Sequence, residues 1–366
     1  MQHKHKLCIV TTFYASVGGI STYVKNVVES YKKAGLNIIV ISPDIDRNGQ
    51  TGDLISVKSS KILAILKTLY QLKINKINRI QCHCTWYLLL ACIFYKYMSK
   101  IVGIDVKVTT VKHSDIIINN MSLKRFALQF IDNRTDNIVF VSEYLKKRYN
   151  QDFGFRYSKP QHVVSPGCGP LTYRKGIVEN LAIQFRASSR YPLLTYIGLF
   201  EYPGKVEGLI LLLQAVDRLR LSYPAIFLAI AGRGTLKWKV IEEIERLSLQ
   251  DHVQVIETID NPYELLQLSN LHCHVTFQDS FSIVVLEALN SGTPVIASNI
   301  GELPNIGVEG LVIVNNNLHD LVKSIINSLK HPPKIDFKKL RKDYNWDNKA
   351  IELAKISFDI SVRLTD

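Results

Sequence analysis

Two acidic residues eight positions apart, Asp279 and Glu287, bracket the stretch Asp279-Ser280-Phe281-Ser282-Ile283-Val284-Val285-Leu286-Glu287. Ile283 to Asn290 reads as a helix, Asp279 and Ser280 as the loop before it, and Gly292 with Pro294 as its stop. At a rise of about 1.5 Å per helical residue the two acids lie at most about 12 Å apart. That span excludes a shared proton or one small metal ion, and it suits two ends of an elongated ligand. The helix N-terminus near Ser282 falls between them, and its open N–H groups suit a phosphate. Acid, phosphate seat, acid is the outline of a nucleotide-sugar site.

The flanking pattern shows what must position these groups. Leu271 to Phe277 reads as a strand before the loop and Val295 to Ala297 as another after the helix. Upstream, apolar strands alternate with helices: Leu193 to Gly198, Glu207 to Leu221, Ile226 to Ala231, Lys237 to Leu247, Val253 to Ile256 and Asn261 to Leu266. Gly232-Arg233-Gly234 follows one of these strands. The first half of the chain has the same alternation. Leu7 to Thr12 is a buried strand, Gly18-Gly19 a glycine turn, Ser21 to Ala34 a helix, and Asn37 to Ser42 the next strand. This βαβ unit lacks G-x-G-x-x-G, and its acid Asp44 comes only after Pro43, which argues against a dinucleotide site.

Further strands are expected over Ile80 to Cys84, Val106 to Val111, Asp136 to Ser142 and Gln161 to Ser165. His113 stands just past the second of these strands, where open α/β sheets place ligand contacts. The break Pro166-Gly167-Cys168-Gly169-Pro170 marks a boundary. The expected organisation is α/β throughout: a doubly wound domain over 1–170, a linker over 171–189, a second doubly wound domain over 190–345, and a terminal helix within 346–366.

Composition narrows the class. The 366 residues are 47% hydrophobic and 21% charged, as expected of a soluble α/β protein of two domains. The longest apolar run, Thr85 to Tyr95, is shorter than the roughly 20 residues a membrane span needs, and no leader is expected at the N-terminus. Six scattered cysteines suggest reduced thiols in a cytoplasmic setting. Cys82-His83-Cys84 is read as a buried strand rather than a metal seat, because alternate residues point to opposite faces. The net charge of +13 is concentrated: no acid lies between Asp53 and Asp105, while Lys61, Lys67, Lys73, Lys76 and Lys100 interleave with Leu63, Leu66, Leu69 and Tyr70. Such a segment suits an anionic membrane surface, and no nucleic-acid-binding module accompanies it.

The stretch from Asp279 onward resembles the signature of the retaining glycosyltransferases of family 4, in which two glutamates flank seven residues. The likeness runs over nearly the whole chain, most specifically from Tyr196 to Val314. It implies the GT-B fold, in which two Rossmann-like domains face a cleft and a C-terminal helix crosses back to the first domain. By that resemblance Glu287 holds the nucleotide ribose, Asp279 the donor sugar, and Phe281, Ser282 and Ile283 open the donor-phosphate helix. Ser282 stands where glycine is usual, and Asp279 where glutamate is. Lys205, followed by Gly208, matches the lysine that meets the diphosphate. Leu199 occupies the place of a second cation, for which Arg233 is a candidate stand-in. Gly18 and Gly19 match the family's first-loop glycine pair, and His113 its histidine beside the transferred sugar. Catalytic roles thus fall to His113, Asp279 and Lys205. The resemblance implies a nucleotide-sugar donor, UDP-linked by family frequency, no cofactor and no metal ion. It further implies a lipid-linked or polysaccharide acceptor, with the enzyme peripheral at the inner face of the cell membrane. An epimerase on the same fold and a non-catalytic nucleotide-sugar-binding subunit are the alternatives.

Overall fold

The computed structural model describes residues 5–46, 51–83, 85–115, 121–185, 191–257 and 259–360. Cys84 lies outside them. The chain divides into two compact units, Met1–Pro166 with Trp346–Asp366, and Gly167–Asn345. Both are parallel α/β sheets, as the alternation implied.

Among the described residues the first unit has seven strands: β1 (Leu7–Thr11), β2 (Ile38–Ser42), β3 (Leu54–Ser56), β4 (Arg79–His83), β5 (Lys107–Lys112), β6 (Asn137–Phe140) and β7 (Gln161–Val163). They are ordered β3-β2-β1-β4-β5-β6-β7 and all pair in parallel. The strands are near-continuous apolar runs because helices cover both faces of such a sheet. The helix Gly19–Lys33 buries Tyr23, Val24, Val27, Val28 and Tyr31, the stripe its sequence spacing gives. It begins two residues earlier than expected, so Gly18 is its cap and Gly19 its first residue. Trp346–Phe358 is a helix of this unit: Asp347 accepts a 2.6 Å hydrogen bond from Ser30, and Trp346 packs edge-on against Tyr23.

The second unit has β8 (Leu193–Leu199), β9 (Phe227–Arg233), β10 (Val253–Ile256), β11 (Leu271–His274), β12 (Val295–Ser298) and β13 (Leu311–Val314), ordered β10-β9-β8-β11-β12-β13. The helix Pro203–Leu219 carries proline in its first turn and buries Val206, Leu209, Leu212, Leu213 and Val216 at three- and four-residue spacing. Each such side chain contributes roughly 1.5–3 kcal/mol when removed from water.

The expected linker over 171–189 is corrected. Lys175–Gln184 is a helix, and buried Phe185 and Leu181 join a core cluster with Leu193, Phe227 and Leu265. Arg174, just before that helix, grips buried Glu264 through Nε at 2.6 Å and Nη2 at 3.1 Å. The boundary therefore falls at 166–167, and the segment after it is part of the second unit. The glycines and prolines of 166–170 mark the turn itself, not a longer tether. The strand expected over Leu271 to Phe277 ends at His274, and the remainder is loop.

Candidate functional site

In the second sheet the winding reverses between β8 and β11, the place where open parallel sheets bind ligands beyond their carboxyl ends. Two glycines shape that end. A Cβ on Gly208 would lie 2.3 Å from the Val275 carbonyl oxygen, and one on Gly204 would lie 2.8 Å from Gln278 Cβ. Lacking side chains, they let the start of Pro203–Leu219 rest directly on 275–278, where the Phe277 N–H donates to the Gly204 carbonyl at 2.8 Å. Lys205 is thereby carried to Asp279, its Nζ 3.5 Å from Oδ2.

Asp279 is buried and engaged on both oxygens. His274 Nε2 lies 2.9 Å from Oδ2, and the Ser280 N–H donates to Oδ1 at 2.9 Å. Burial works to raise its pKa, but Lys205, His274 and the Ser280 N–H outweigh burial and hold the carboxyl well below the usual range. The group is an ionised acceptor, with His274 Nε2 as donor and only part of its lone-pair capacity open to a ligand. His274 Nδ1 is buried without a hydrogen-bond partner among the described residues.

The helix Ile283–Asn290 starts at Ser282, in extended conformation, with no side-chain cap and no acid in its first turn. Its leading N–H groups are thus unclaimed by side chains, which leaves the positive helix end available to an anion. Glu287 sits in its second turn, partly exposed, and its carboxylate makes no ion pair or side-chain hydrogen bond among the described residues. Burial pushes its pKa up to about 7. Close by, Asn290 donates to the Gly169 carbonyl at 2.8 Å and to Tyr263 Oη at 3.2 Å, while the Tyr263 hydroxyl feels the Glu287 charge. Phe281 does not stand open: it packs against a core cluster and lies 6.2 Å from the Tyr344 ring. Arg233 is exposed at the end of β9, in register with Leu199 on β8.

The first sheet has its own reversal between β1 and β4. Gly18 there adopts φ 154°, a backbone state that L side chains rarely take, whereas a Cβ on Gly19 would meet open space. Asp44, set aside as a ribose acid, instead accepts the N–H groups of Tyr14 (2.9 Å) and Ser16 (2.8 Å) and so fixes the loop leading to Gly18. His113 follows β5, its Nε2 2.7 Å from His83 Nδ1 and its ring edge-on to Tyr23. Burial pushes the His113 pKa down to about 3, and burial together with the neighbouring His113 holds that of His83 well below the usual histidine value.

The structure thus joins Asp279 with Lys205, sets Ser282 and Ile283 at a helix start without a side-chain cap, and gives Glu287 no ion pair among the described residues. His274 and His83 were missed by sequence reasoning. The alternation His272-Cys273-His274 on one short strand, leading to Asp279 five residues on, was the available signal.

Residues 181–349 match the family described as Glycosyl transferases group 1. The second half of the chain thus resembles the group 1 glycosyltransferases. The chain is similar to a glycogen synthase of Mycobacterium tuberculosis, 23% identical over 262 residues, covering 67% of this chain and 59% of that protein. It is also similar to the O-antigen chain mannosyltransferase B of Escherichia coli, 27% identical over 161 residues and 42% of each chain. The chain therefore spans less than two thirds of the length of these relatives. In fold it resembles Anabaena HepE, solved in complex with UDP, with a TM-score of 0.70 at 14% identity over 96% of this chain and 95% of that one. The two Rossmann-like parallel sheets expected of that fold are both observed.

Proposed function

We propose that the protein is a retaining glycosyltransferase that moves a sugar from a nucleoside-diphosphate donor, UDP-linked by preference, to a lipid-linked or polysaccharide acceptor. The observation that carries this reading is the unpaired Glu287 carboxylate on a helix whose N-terminus is uncapped and whose neighbouring loop holds an ionised Asp279 beside Lys205. A nucleoside diphosphate has complementary parts: a ribose diol for Glu287, two phosphates for the helix end and Lys205, and sugar hydroxyls for Asp279. Arg233 adds a second cation. As the glycosidic bond to the diphosphate breaks, charge builds on the leaving phosphate, and fixed positive groups stabilise it without reorganising. With that charge met by side chains and helix, the reaction is written without a metal ion or cofactor. Retention follows from the resemblance to family 4. UDP is favoured because the similar HepE was solved with it.

The acceptor side of the proposal rests on the first unit. Helices Lys61–Ile74, Trp86–Ile101 and Met121–Asp132 pack in sequence. They expose Ile62, Leu66, Tyr70, Phe94, Ile101 and Phe126, with Ile101 78% and Phe126 65% accessible. Lysines interleave with these apolar residues along the sequence, and no acid lies between Asp53 and Asp105. Apolar insertion with a basic border suits an anionic bilayer, so a peripheral position at the cytoplasmic membrane face is proposed. No helix among the described residues is long and apolar enough to cross a membrane.

Calorimetric titration of UDP, GDP and ADP at pH 8, into the wild type and a Glu287→Ala variant, tests the donor site. Selective binding of one nucleotide, lost in the variant, is expected. Binding of none overturns the donor assignment. Nucleotide binding without transfer from any UDP-sugar to extracted lipid or glycan acceptors would leave a non-catalytic subunit.

A further inference from the structure

Asp279 Oδ2 receives two side-chain donors among the described residues, and they differ in kind. His274 Nε2 lies 2.9 Å away, within hydrogen-bond range, and its side chain is only 3% exposed at the end of β11. Lys205 Nζ stands off at 3.5 Å on a side chain that is 23% exposed. The imidazole is fixed by the strand that carries it. The lysine ammonium rides on a flexible four-carbon stem and has room to leave.

The loop between His274 and Asp279 is clamped along its length. The Thr276 N–H donates to Ser298 Oγ at 2.8 Å, Asn316 Nδ2 donates to the Thr276 carbonyl at 2.8 Å, and the Phe277 N–H donates to the Gly204 carbonyl at 2.8 Å. Gly301 adopts φ 62°, and a Cβ there would fall 2.4 Å from the Asp279 carbonyl oxygen, so glycine lets the next turn close on this loop. The acid is thus brought back onto the histidine five residues before it. An ionised carboxylate can only accept, so the hydrogen between them sits on His274 Nε2.

A buried carboxylate that loses its counter-ion is costly unless another donor stays with it. In the proposed function a diphosphate draws Lys205 away from Asp279. Without His274, the Ser280 N–H on Oδ1 would be the remaining donor among the described residues, and the acid would hold the lysine back. We infer that His274 is a positioning residue that keeps Asp279 satisfied and in place while Lys205 turns to the donor phosphates, so that one lysine serves both anions. The His274–Asp279 hold stands on geometry; the release of Lys205 rests on the proposed function.

The test is calorimetric titration of UDP into the full chain as wild type, His274→Gln, His274→Leu and His274→Leu/Asp279→Asn. The glutamine keeps an N–H donor and should bind UDP like wild type. The leucine should bind roughly tenfold more weakly, although His274 meets no phosphate, because its loss ties Lys205 to the acid. The double variant should recover the affinity, since no carboxylate then retains the lysine. A loss that Asp279→Asn does not recover means that His274 merely supports the fold, and it overturns the inference. Should His274→Leu fail to fold, long-range ¹H–¹⁵N spectra of the ¹⁵N-histidine wild type, with His274 assigned from His274→Gln, follow the same event. The hydrogen is expected on Nε2, and its signal should move downfield as UDP saturates the site and Lys205 withdraws. A hydrogen on Nδ1 alone, a signal unmoved by bound UDP, or a folded His274→Leu that binds UDP like wild type overturns the inference and leaves the donor-site reading untouched. A wild type that binds no nucleotide sinks that reading and the release of Lys205 with it, while an Nε2–H signal that shifts in Asp279→Asn would still show the hold on the acid.

Discussion

Leu199 and Arg233 face each other across the parallel register of β8 and β9. Leu199 stands where the resembled family 4 has an arginine, and in the proposed site Arg233 is the candidate to take its place from the neighbouring strand. Arg233→Ala is expected to weaken UDP binding roughly tenfold, a loss of about 1.4 kcal/mol. The double variant Leu199→Arg/Arg233→Leu should recover most of it. Titration calorimetry of the three proteins decides the matter, and an Arg233→Ala protein that binds like wild type removes Arg233 from the site.

Lys205 serves two anions in the proposed site, Asp279 in the unliganded protein and a diphosphate when one binds. Lys205→Ala is expected to cost about 1.5–3 kcal/mol of UDP affinity, or roughly 10- to 100-fold. Lys205→Met keeps the stem and loses the charge, so it should bind as poorly. Uridine, which lacks phosphates, should bind wild type and variants alike, and unequal binding would mean that the substitution has disturbed more than charge.

Glu287 couples binding to pH and to stability with opposite signs. Its pKa in the folded chain is about 7, above the ordinary carboxylate value. The folded state therefore holds this proton more tightly than the unfolded one, and the associated stability, present below the ordinary value, is lost as pH rises through about 7. Glu287→Gln should raise stability at pH 8 by on the order of 2 kcal/mol and change little near pH 4. Thermal unfolding at the two pH values tests this. UDP affinity of the wild type should meanwhile fall as pH drops below about 7, because a protonated Glu287 accepts ribose hydroxyls less well.

Gly208→Ala is expected to destabilise the second unit by about 1–3 kcal/mol, since the new Cβ would fall 2.3 Å from the Val275 carbonyl and the helix would have to lift. UDP affinity should drop with it, as Lys205 rides on that helix. Gly19→Ala, where a Cβ meets open space, should be near neutral. Denaturant melts of both variants compare the two glycines directly.

The sequence carried most of the layout because its signals were local. Val253–Ile256 and Ile283–Asn290 were readable to the residue, bounded by glycine, proline and charged neighbours. The helix Lys175–Gln184 was not, because its anchoring depends on Glu264, ninety residues away, gripping Arg174. Trp86–Ile101 was visible only as an apolar run over part of its length, since a helix apolar on most sides shows little period. Asp279 and Lys205 were legible as types, but their pairing was not, and neither was the partnership of His83 with His113 across thirty residues. Those contacts exist only after the strands are set side by side.

The terminal helix Trp346–Phe358 packs into a unit whose remaining residues end at Pro166. Vectorial synthesis then dictates an order of events. The first unit emerges first, yet Tyr23 and Ser30 lack their last neighbours until the whole of Gly167–Asn345 has been made. At about 5–20 residues per second that wait is on the order of ten to forty seconds. The inserted unit has all its residues at Asn345, before the first unit receives its terminal helix, and so is placed to finish folding first. During that interval the uncovered face of Gly19–Lys33 is where a holding chaperone would find its client.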